Sequence, residues 1–159
     1  MEKKSITTHF QLYQFEELSA EYQQIVSIAK EQTQKSYSPY SHFAVGAAVL
    51  LNDGEIFAGN NQENAAYPSG LCAERTTIFY ANAQRPETPV KAIAIAAFTK
   101  GEFLSDPVAP CGACRQVLLE TETRFSQPMQ ILLYGQKGIY IIDSVKDLLP
   151  LCFTKESMN

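Results

Sequence analysis

Three cysteines constrain this chain more than any other feature of its sequence. Cys72 opens the segment 72–83, CAERTTIFYANA, whose pattern predicts a helix. Cys111 and Cys114 fall in the first turn of a second predicted helix, CGACRQVLLETE (111–122), directly after a proline. A helix N-terminus has unpaired N–H groups and the positive end of the helix dipole, and both stabilise a thiolate. A fold that brings these two helix starts together would therefore collect three thiolates.

Three thiolates suit a zinc ion. Catalytic zinc typically has three protein ligands and an open position for water, whereas structural zinc usually has four ligands. The cluster therefore predicts a catalytic zinc site, with one ion per chain. The histidines, His9 and His42, lie in a polar tail and beside a loop, and we expect neither to be a ligand.

Other interpretations of the cysteines stay open at this point. A redox C-x-x-C would leave Cys72 unexplained. A structural four-cysteine site would recruit Cys152, which has no C-x-x-C partner; in LLPLCF it is more simply a small buried apolar side chain. All the cysteines could also be ordinary buried residues.

Glu74 lies two residues after Cys72. On a helix, a side chain at that spacing does not point at the same metal position, so direct ligation is poor. Its carboxylate can lie beside the open position, where it would take a proton from water and pass it to a substrate. The alternative is a solvated acidic residue that is favourable at a helix N-terminus.

The remaining pattern predicts an α/β protein. Residues 15–35 have a helical apolar stripe, and two strands around the turn Asn52-Asp53-Gly54 predict a hairpin. A buried strand (90–98), two further strands (MQILLYG and GIYIID) and a short helix (VKDLLP) complete the order α-β-β-α-β-α-β-β-α. Such alternation predicts a three-layer α/β/α sandwich with a central mixed β-sheet.

Length and charge narrow the function classes. A chain of 159 residues fits one domain, which we place at 15–159, after a loosely ordered N-terminal extension at 1–14. The net charge of −4 argues against binding of nucleic acid. No apolar run approaches the ~20 residues that cross a bilayer, and no signal peptide is recognised. Four cysteines are too few for a disulfide scaffold, so we expect a cytoplasmic protein.

The pattern C-x-E…P-C-x-x-C is the cysteine form of the zinc nucleobase-deaminase signature. The chain carries it as LCAER and PCGACRQ, together with SPYSHFAVGAAV (38–49) and NQENAAY (61–67). These four motifs, in this order, resemble the cytidine deaminases, of the small homotetrameric three-cysteine type, within the cytidine and deoxycytidylate deaminase family. The resemblance covers roughly residues 36–153.

The resemblance implies roles around the metal. Cys72, Cys111 and Cys114 would be the zinc ligands, and Glu74 would be the proton shuttle. Because three thiolates leave a Zn²⁺ centre with a net charge of −1, Arg75 would donate hydrogen bonds to the ligand sulfurs and offset that charge.

The resemblance also implies substrate contacts. Phe43 would lie against the nucleoside, and Asn61 and Glu63 would hydrogen-bond the ribose hydroxyls. The backbone N–H of Ala73 would meet the base carbonyl. Phe153 would stack on the base bound in a neighbouring subunit of a homotetramer.

The implied reaction is zinc-dependent hydrolytic deamination of cytidine and deoxycytidine to uridine and deoxyuridine, with release of ammonia, as in pyrimidine salvage. One alternative is a deaminase for a cytosine-containing antibiotic of the blasticidin S type. A second is a polynucleotide-editing deaminase, against which the acidic composition argues. A third is a non-catalytic zinc-binding or redox module, which would show no turnover dependent on Glu74.

Overall fold

A computed structural model gives the structure of residues 1–158. That part of the chain has three α-helices: α1 (Ala20–Thr33), α2 (Ala73–Gln84) and α3 (Gly112–Phe125). It has seven strands: β1 (Gln11–Tyr13), β2 (Phe43–Leu51), β3 (Ile56–Asn60), β4 (Val90–Thr99), β5 (Glu102–Phe103), β6 (Gln130–Gly135) and β7 (Gly138–Ile142). Short 3-10 helices are Phe15–Glu17, Tyr67–Ser69, Val145–Leu148 and Lys155–Met158. No helix within residues 1–158 is long and apolar enough to cross a membrane.

All seven strands belong to one sheet. Its order is β1-β7-β6-β4-β2-β3, and β5 pairs with the end of β4. β4 and β6 run parallel, whereas the other neighbours are antiparallel, so the sheet is mixed as predicted. The β2–β3 hairpin also forms as predicted, and its turn includes Gly54 at a φ of 88°, a conformation that glycine adopts without steric cost.

Helices cover both faces of the sheet. Successive side chains of a strand point to opposite faces, and β2 follows this rule. Ala48 and Leu50 pack with α1 on one face, whereas Val49 and Leu51 pack with α2 and α3 on the other. The predicted three-layer α/β/α sandwich is therefore confirmed.

The α1 layer lies very close to the sheet. A Cβ atom added to Gly46 of β2 would be 2.0 Å from the carbonyl oxygen of Ala29 in α1. Only glycine permits this approach of helix backbone to strand backbone. The α1 face is thus a tightly packed structural layer, and the chemically interesting residues lie on the other face.

The N-terminal elements differ from the sequence prediction. The expected helix 15–35 is divided, because Leu18 is extended and Ser19 caps a helix that begins only at Ala20. Residues 11–13, which the sequence analysis assigned to the loosely ordered extension, form β1 and pair antiparallel with β7. The ring of Phe10 lies 4.7 Å from that of Tyr140, which holds the segment against the sheet.

Two further differences are local. No strand or helix was predicted between the strand 90–98 and the helix 111–122, but β5 lies there and forms a tight hairpin with β4. Lys100 and Gly101 both have positive φ, 54° and 86°, as a two-residue hairpin turn of this kind requires. The short helix expected at VKDLLP is a 3-10 helix, Val145–Leu148.

Candidate active site

The fold brings the three predicted thiols together. Cys72 is the N-cap residue of α2, Cys111 is the N-cap of α3, and Cys114 is the third residue of α3. The Sγ atoms of Cys72 and Cys111 are 3.9 Å apart, and those of Cys111 and Cys114 are 3.5 Å apart. All three Sγ atoms lie within 4.8 Å of one another.

These distances fit a tetrahedral metal ion. With Zn–S bonds of about 2.3 Å, two sulfurs of a tetrahedral site are about 3.8 Å apart. A disulfide would instead need about 2.05 Å, and all four cysteines are free thiols. Cys152 is not part of the group; it is partly buried and packs against the core cluster on the α2 and α3 face. The donor set is therefore three sulfurs, which suits zinc.

Charge in the group favours a thiolate. The pKa of Cys72 is lowered to about 5, first by its hydrogen bond with Cys114 and then by Arg75. The pKa of Cys114 is raised, because it is the donor in that hydrogen bond and because it is buried. Cys72 therefore ionises before Cys114.

Arg75 lies on the same side of α2 as Cys72. Its Nη2 atom is 3.8 Å from the Cys72 sulfur. Its Nε atom is shielded from solvent and has no hydrogen-bond acceptor among residues 1–158. The guanidinium therefore places positive charge beside the thiols and retains an unused donor.

Glu74 is buried next to the thiols without joining them. Glu74 is only 5% exposed, and its carboxylate does not belong to the group formed by the three close cysteine sulfurs. Burial raises the pKa of the carboxyl group, and the negative charge of Cys72 acts in the same direction. A carboxyl group in this position can hold or release a proton beside the three thiols.

A cavity of about 500 Å³ opens beside Cys72. Four residues singled out from the sequence line it: Asn61, Glu63, Cys72 and Arg75. This volume suits a small organic molecule. Cys72 and the two polar residues of the NQENAAY motif therefore meet at one cavity.

Some residues lining the cavity were not singled out from the sequence. They are Tyr40, Ser41, Gln62, Asn64, Tyr67, Gly70 and Leu71. Tyr40 and Tyr67 form an edge-to-face pair with ring centroids 5.9 Å apart. Tyr40 and Ser41 belong to the same SPYSHF motif as Phe43, so the signal was present in the sequence, but a side chain can be assigned to the cavity only once the loop is folded.

Asn61 is held by the loop that precedes β2 and by β2 itself. Its Oδ1 atom accepts hydrogen bonds from the Val45 N–H at 2.7 Å and from the Ser36 hydroxyl at 2.5 Å. Its Nδ2 atom donates to the Phe43 carbonyl at 2.9 Å. The amide orientation is thereby fixed, and one N–H of Nδ2 remains free.

Glu63 is held by the same loop. Its Oε2 atom accepts from the Tyr40 N–H at 2.9 Å and from the Ser41 N–H at 3.3 Å, and its Oε1 atom accepts from the Ser41 hydroxyl. These bonds, the Ser41 hydroxyl first, lower the pKa of the carboxyl group below its usual value. Glu63 is therefore an oriented anion at the cavity wall.

The other predicted contacts, Phe43, Ala73 and Phe153, are not part of the cavity wall. Phe43 begins β2 and is partly buried. Ala73 is the first residue of α2, where a backbone N–H has no acceptor within the helix. Phe153 is 58% exposed, and its carbonyl accepts a hydrogen bond from Gln116 of α3 at 2.8 Å. This chain does not bring the Phe153 side chain into its own cavity wall.

Comparisons with known proteins agree with this geometry. A family model of the cytidine and deoxycytidylate deaminase zinc-binding region matches residues 19–126. The cytidine deaminase of Sporosarcina psychrophila is 40% identical over 137 residues, which are 86% of this chain and 94% of that protein. The cytidine deaminase of Halalkalibacterium halodurans is 41% identical over 137 residues, 86% of this chain and 97% of that protein. The crystal structure of the Burkholderia pseudomallei cytidine deaminase matches with a TM-score of 0.71 and 41% identity, over 83% of this chain and 98% of that one.

Proposed function

The chain belongs to the cytidine and deoxycytidylate deaminase family, and from this premise we propose that it hydrolyses cytidine and deoxycytidine to uridine and deoxyuridine with release of ammonia. The reaction would depend on one zinc ion per chain, held by Cys72, Cys111 and Cys114. The observation that supports this most is the combination of three sulfurs at tetrahedral spacing with a buried carboxylate, Glu74, beside them.

The chain's own groups account for the proton transfers. When bound, zinc would supply a Lewis acid that makes water more acidic and stabilises the charge that develops on oxygen. The water oxygen bonds to C4 of the pyrimidine and the C4–N4 bond breaks, so cytidine and water become uridine and ammonia. Glu74 takes a proton from the attacking water, delivers it to N3 and later helps to protonate the departing amine.

The residues before and after Glu74 in the sequence, Ala73 and Arg75, would assist the reaction. The Ala73 N–H, free at the helix start, would donate to the carbonyl of the base and hold the ring at the carboxylate. Arg75, 3.8 Å from the Cys72 sulfur, would offset the excess negative charge of three thiolates. Without the positive charge of Arg75, the metal would be a weaker Lewis acid.

Asn61 and Glu63 together match one sugar hydroxyl. Inside the protein, Asn61 uses its Oδ1 atom twice and one N–H of Nδ2, which leaves one donor. Glu63 accepts twice at Oε2 and once at Oε1, which leaves one acceptor position on Oε1. One hydroxyl can accept from the first and donate to the second. The 3′-OH, which ribose and deoxyribose share, fits this role, and this supports action on both nucleosides.

We also propose that the chain acts as a homotetramer. We propose that Phe43 lies against the nucleoside and that Phe153 stacks on the base bound by a neighbouring subunit. The exposed ring of Phe153 supports this, as do Phe79 and Tyr80 of α2, which are 48% and 53% exposed. Large exposed aromatic side chains are enriched at protein interfaces.

The expected partner is a small nucleoside and not a nucleic acid. The loop 60–71 beside the cavity carries no Lys or Arg that could neutralise a phosphate, and Arg75 in the cavity wall is engaged with Cys72. A 5′-phosphate would also lie in a cavity that contains the Glu63 carboxylate. In the cell the reaction would serve pyrimidine salvage in the cytoplasm.

An ultraviolet assay of cytidine loss, with metal analysis of the same sample, tests the proposal. We expect turnover of cytidine and deoxycytidine, poor turnover of cytosine, and little or none of cytidine monophosphate or single-stranded DNA. Preference for blasticidin S over cytidine would make the chain an antibiotic deaminase. Zinc-loaded protein that deaminates none of these would be a non-catalytic zinc-binding module.

A further inference from the structure

Glu63 is held more firmly than a partly exposed carboxylate needs to be. A surface carboxylate is normally satisfied by water, yet this one accepts two backbone N–H groups and one hydroxyl from the dipeptide Tyr40-Ser41. The donors divide unequally between the two carboxylate oxygens. Both backbone groups bind Oε2, whereas the Ser41 hydroxyl alone binds Oε1.

We propose that Ser41 is a positioning residue, whose hydroxyl fixes the Oε1 atom of Glu63 in the direction from which it accepts the sugar hydroxyl. This inference rests on the proposed function, because it specifies how the sugar contact of that same site is built. Without the Ser41 hydroxyl, the carboxylate would be held at one oxygen only. It could then rotate about that anchor, and Oε1 would lose its orientation toward the cavity.

The turn around Ser41 is arranged for this contact. The Ser41 oxygen accepts a hydrogen bond from the Phe43 N–H at 3.1 Å, so its own proton is available for Glu63. This geometry requires His42 to adopt a φ of 54°, which is unfavourable for a residue with a Cβ. The His42 carbonyl is secured by the Thr99 hydroxyl at 2.9 Å. One turn thus connects the Glu63 carboxylate to Phe43, the first residue of β2.

A hydroxyl is required at position 41, since the group must donate and accept at once. Alanine provides neither function, whereas threonine provides both and adds one methyl group to an exposed position. Ser41→Ala and Ser41→Thr therefore separate the hydrogen bonds from the bulk of the side chain. Ser69→Ala is the matched control, because the Ser69 hydroxyl, in the 3-10 helix Tyr67–Ser69, donates to the Ala66 carbonyl and makes no hydrogen bond with Glu63.

Steady-state kinetics with cytidine give the first test. We expect Ser41→Ala to lower kcat/KM roughly tenfold, mainly through KM, as for loss of a hydrogen bond to a charged group. Ser41→Thr should stay within about threefold of the wild type, and so should Ser69→Ala. In a Glu63→Ala background, Ser41→Ala should cost almost nothing further, because two residues that act as a unit are not additive. A full additional tenfold loss in that background would assign Ser41 to loop structure and overturn the proposal.

The protonation of Glu63 gives a second test that needs no turnover. The Ser41 hydroxyl is the largest cause of the lowered Glu63 pKa, ahead of the two backbone bonds and the charge of His42. Tyr40, Tyr67, Cys72 and Arg75 also line this cavity and stay unchanged in the variant. Removal of the hydroxyl should therefore raise the pKa, so that Glu63 loses its charge at a higher pH than in the wild type.

Carbon-detected NMR of the Glu63 carboxyl group, titrated in the wild type, Ser41→Ala and Ser41→Thr, measures that shift. An upward shift in the alanine variant alone is the expected result, and an unchanged titration would overturn the proposal. The proposed function and the positioning role of Ser41 are tested by different results. Wild-type protein that leaves cytidine intact would overturn the proposed function and with it the sugar contact, whereas the titration would still report whether Ser41 holds the carboxylate.

Discussion

The helix on one face of the sheet begins differently from the two helices on the other face. At the start of α1, the Ser19 hydroxyl accepts a hydrogen bond from the Tyr22 N–H, which is an ordinary N-cap. α2 and α3 instead begin at Cys72 and Cys111, and neither thiol makes a capping hydrogen bond. The two thiols approach each other instead.

The comparison shows where local stability has been given up for a site. A good N-cap stabilises a helix by about 1 kcal/mol relative to a residue that does not cap, so two uncapped starts forgo about 2 kcal/mol. That is a substantial part of the roughly 5–15 kcal/mol by which a domain is stable. The free N–H groups at the starts of α2 and α3 are then available to stabilise a negative charge on the cysteine sulfurs, instead of donating hydrogen bonds to a capping serine oxygen. The α1 face is arranged for stability, and the opposite face is arranged for binding.

Removing a thiol from the α2 and α3 starts should have the largest effect. In each of the variants Cys72→Ala, Cys111→Ala and Cys114→Ala, we expect zinc content to fall from one ion per chain toward zero. Activity should fall by at least about a thousandfold, because the Lewis acid is lost. Metal analysis and the cytidine assay on the same sample measure both quantities.

Cys152→Ser is the control for this experiment, because Cys152 packs at the edge of the core and lies outside the sulfur group. Its zinc content should equal that of the wild type. Equal loss of zinc from this variant and from the other three would favour a structural four-cysteine site and would remove the contrast between helix starts.

Glu74→Gln should have the next largest effect. The side chain keeps its size in its buried position, and it is not one of the close ligand atoms, so the fold and the zinc content should be retained. The turnover number should fall about 10²–10⁴-fold, the range typical of an acid–base group. A zinc-loaded variant with near-normal turnover would contradict the role of Glu74.

Ser19→Ala tests the other side of the comparison. Loss of the α1 cap should lower the free energy of unfolding by about 1 kcal/mol, measured by urea denaturation, without changing zinc content or kcat/KM. Ser27→Ala, inside the same helix, is the matched control. Its hydroxyl only donates to the Gln23 carbonyl, and its loss should change stability by less than about 0.5 kcal/mol. A drop in zinc content in Ser19→Ala would show that the two faces are coupled.

The smallest effect concerns metal-free protein. Serine is a good N-cap, so metal-free Cys72→Ser should be more stable than metal-free Cys72→Ala by about 0.5–1 kcal/mol. Both variants lack the thiol, and they differ only in the capping hydroxyl. Equal stability of the two in urea would mean that α2 does not gain from a cap at this position, and the exchange of stability for chemistry would not hold there.

The sequence predicted most of the fold where apolar runs and turn signals are clear. The turn at Asn52-Asp53-Gly54 and the long apolar runs of β2 and β4 were sufficient to place the centre of the sheet. β1 and β5 were missed for a physical reason, since strands of three and two residues are too short to display a period. The start of α1 was placed too early because Phe15 and Leu18 continue the apolar stripe although the backbone at Leu18 is extended.

Sequence patterns likewise predicted some residues of the candidate site and missed others. Cys72, Glu74 and the C-x-x-C could be singled out because each of these residues lies at a helix start, where spacing and residue type carry the information. Ser41 could not, since its role depends on a left-handed residue at His42 that orients two neighbouring peptide groups. Such a contact belongs to tertiary structure and leaves no period in the sequence.

The edge position of β3 has a consequence for the lifetime of the site. β4 lies between β2 and β6, whereas β3 has a neighbouring strand on one side only and leads directly into Asn61 and Glu63. Backbone amides of an edge strand exchange with deuterium through local opening, whereas those of a central strand exchange only on global unfolding. We therefore expect fast exchange in β3 and slow exchange in β4, and a bound nucleoside, which would link Glu63 to the helix starts, should slow β3 selectively. The half of the site proposed to hold the sugar should then open more often than the half proposed to hold the metal.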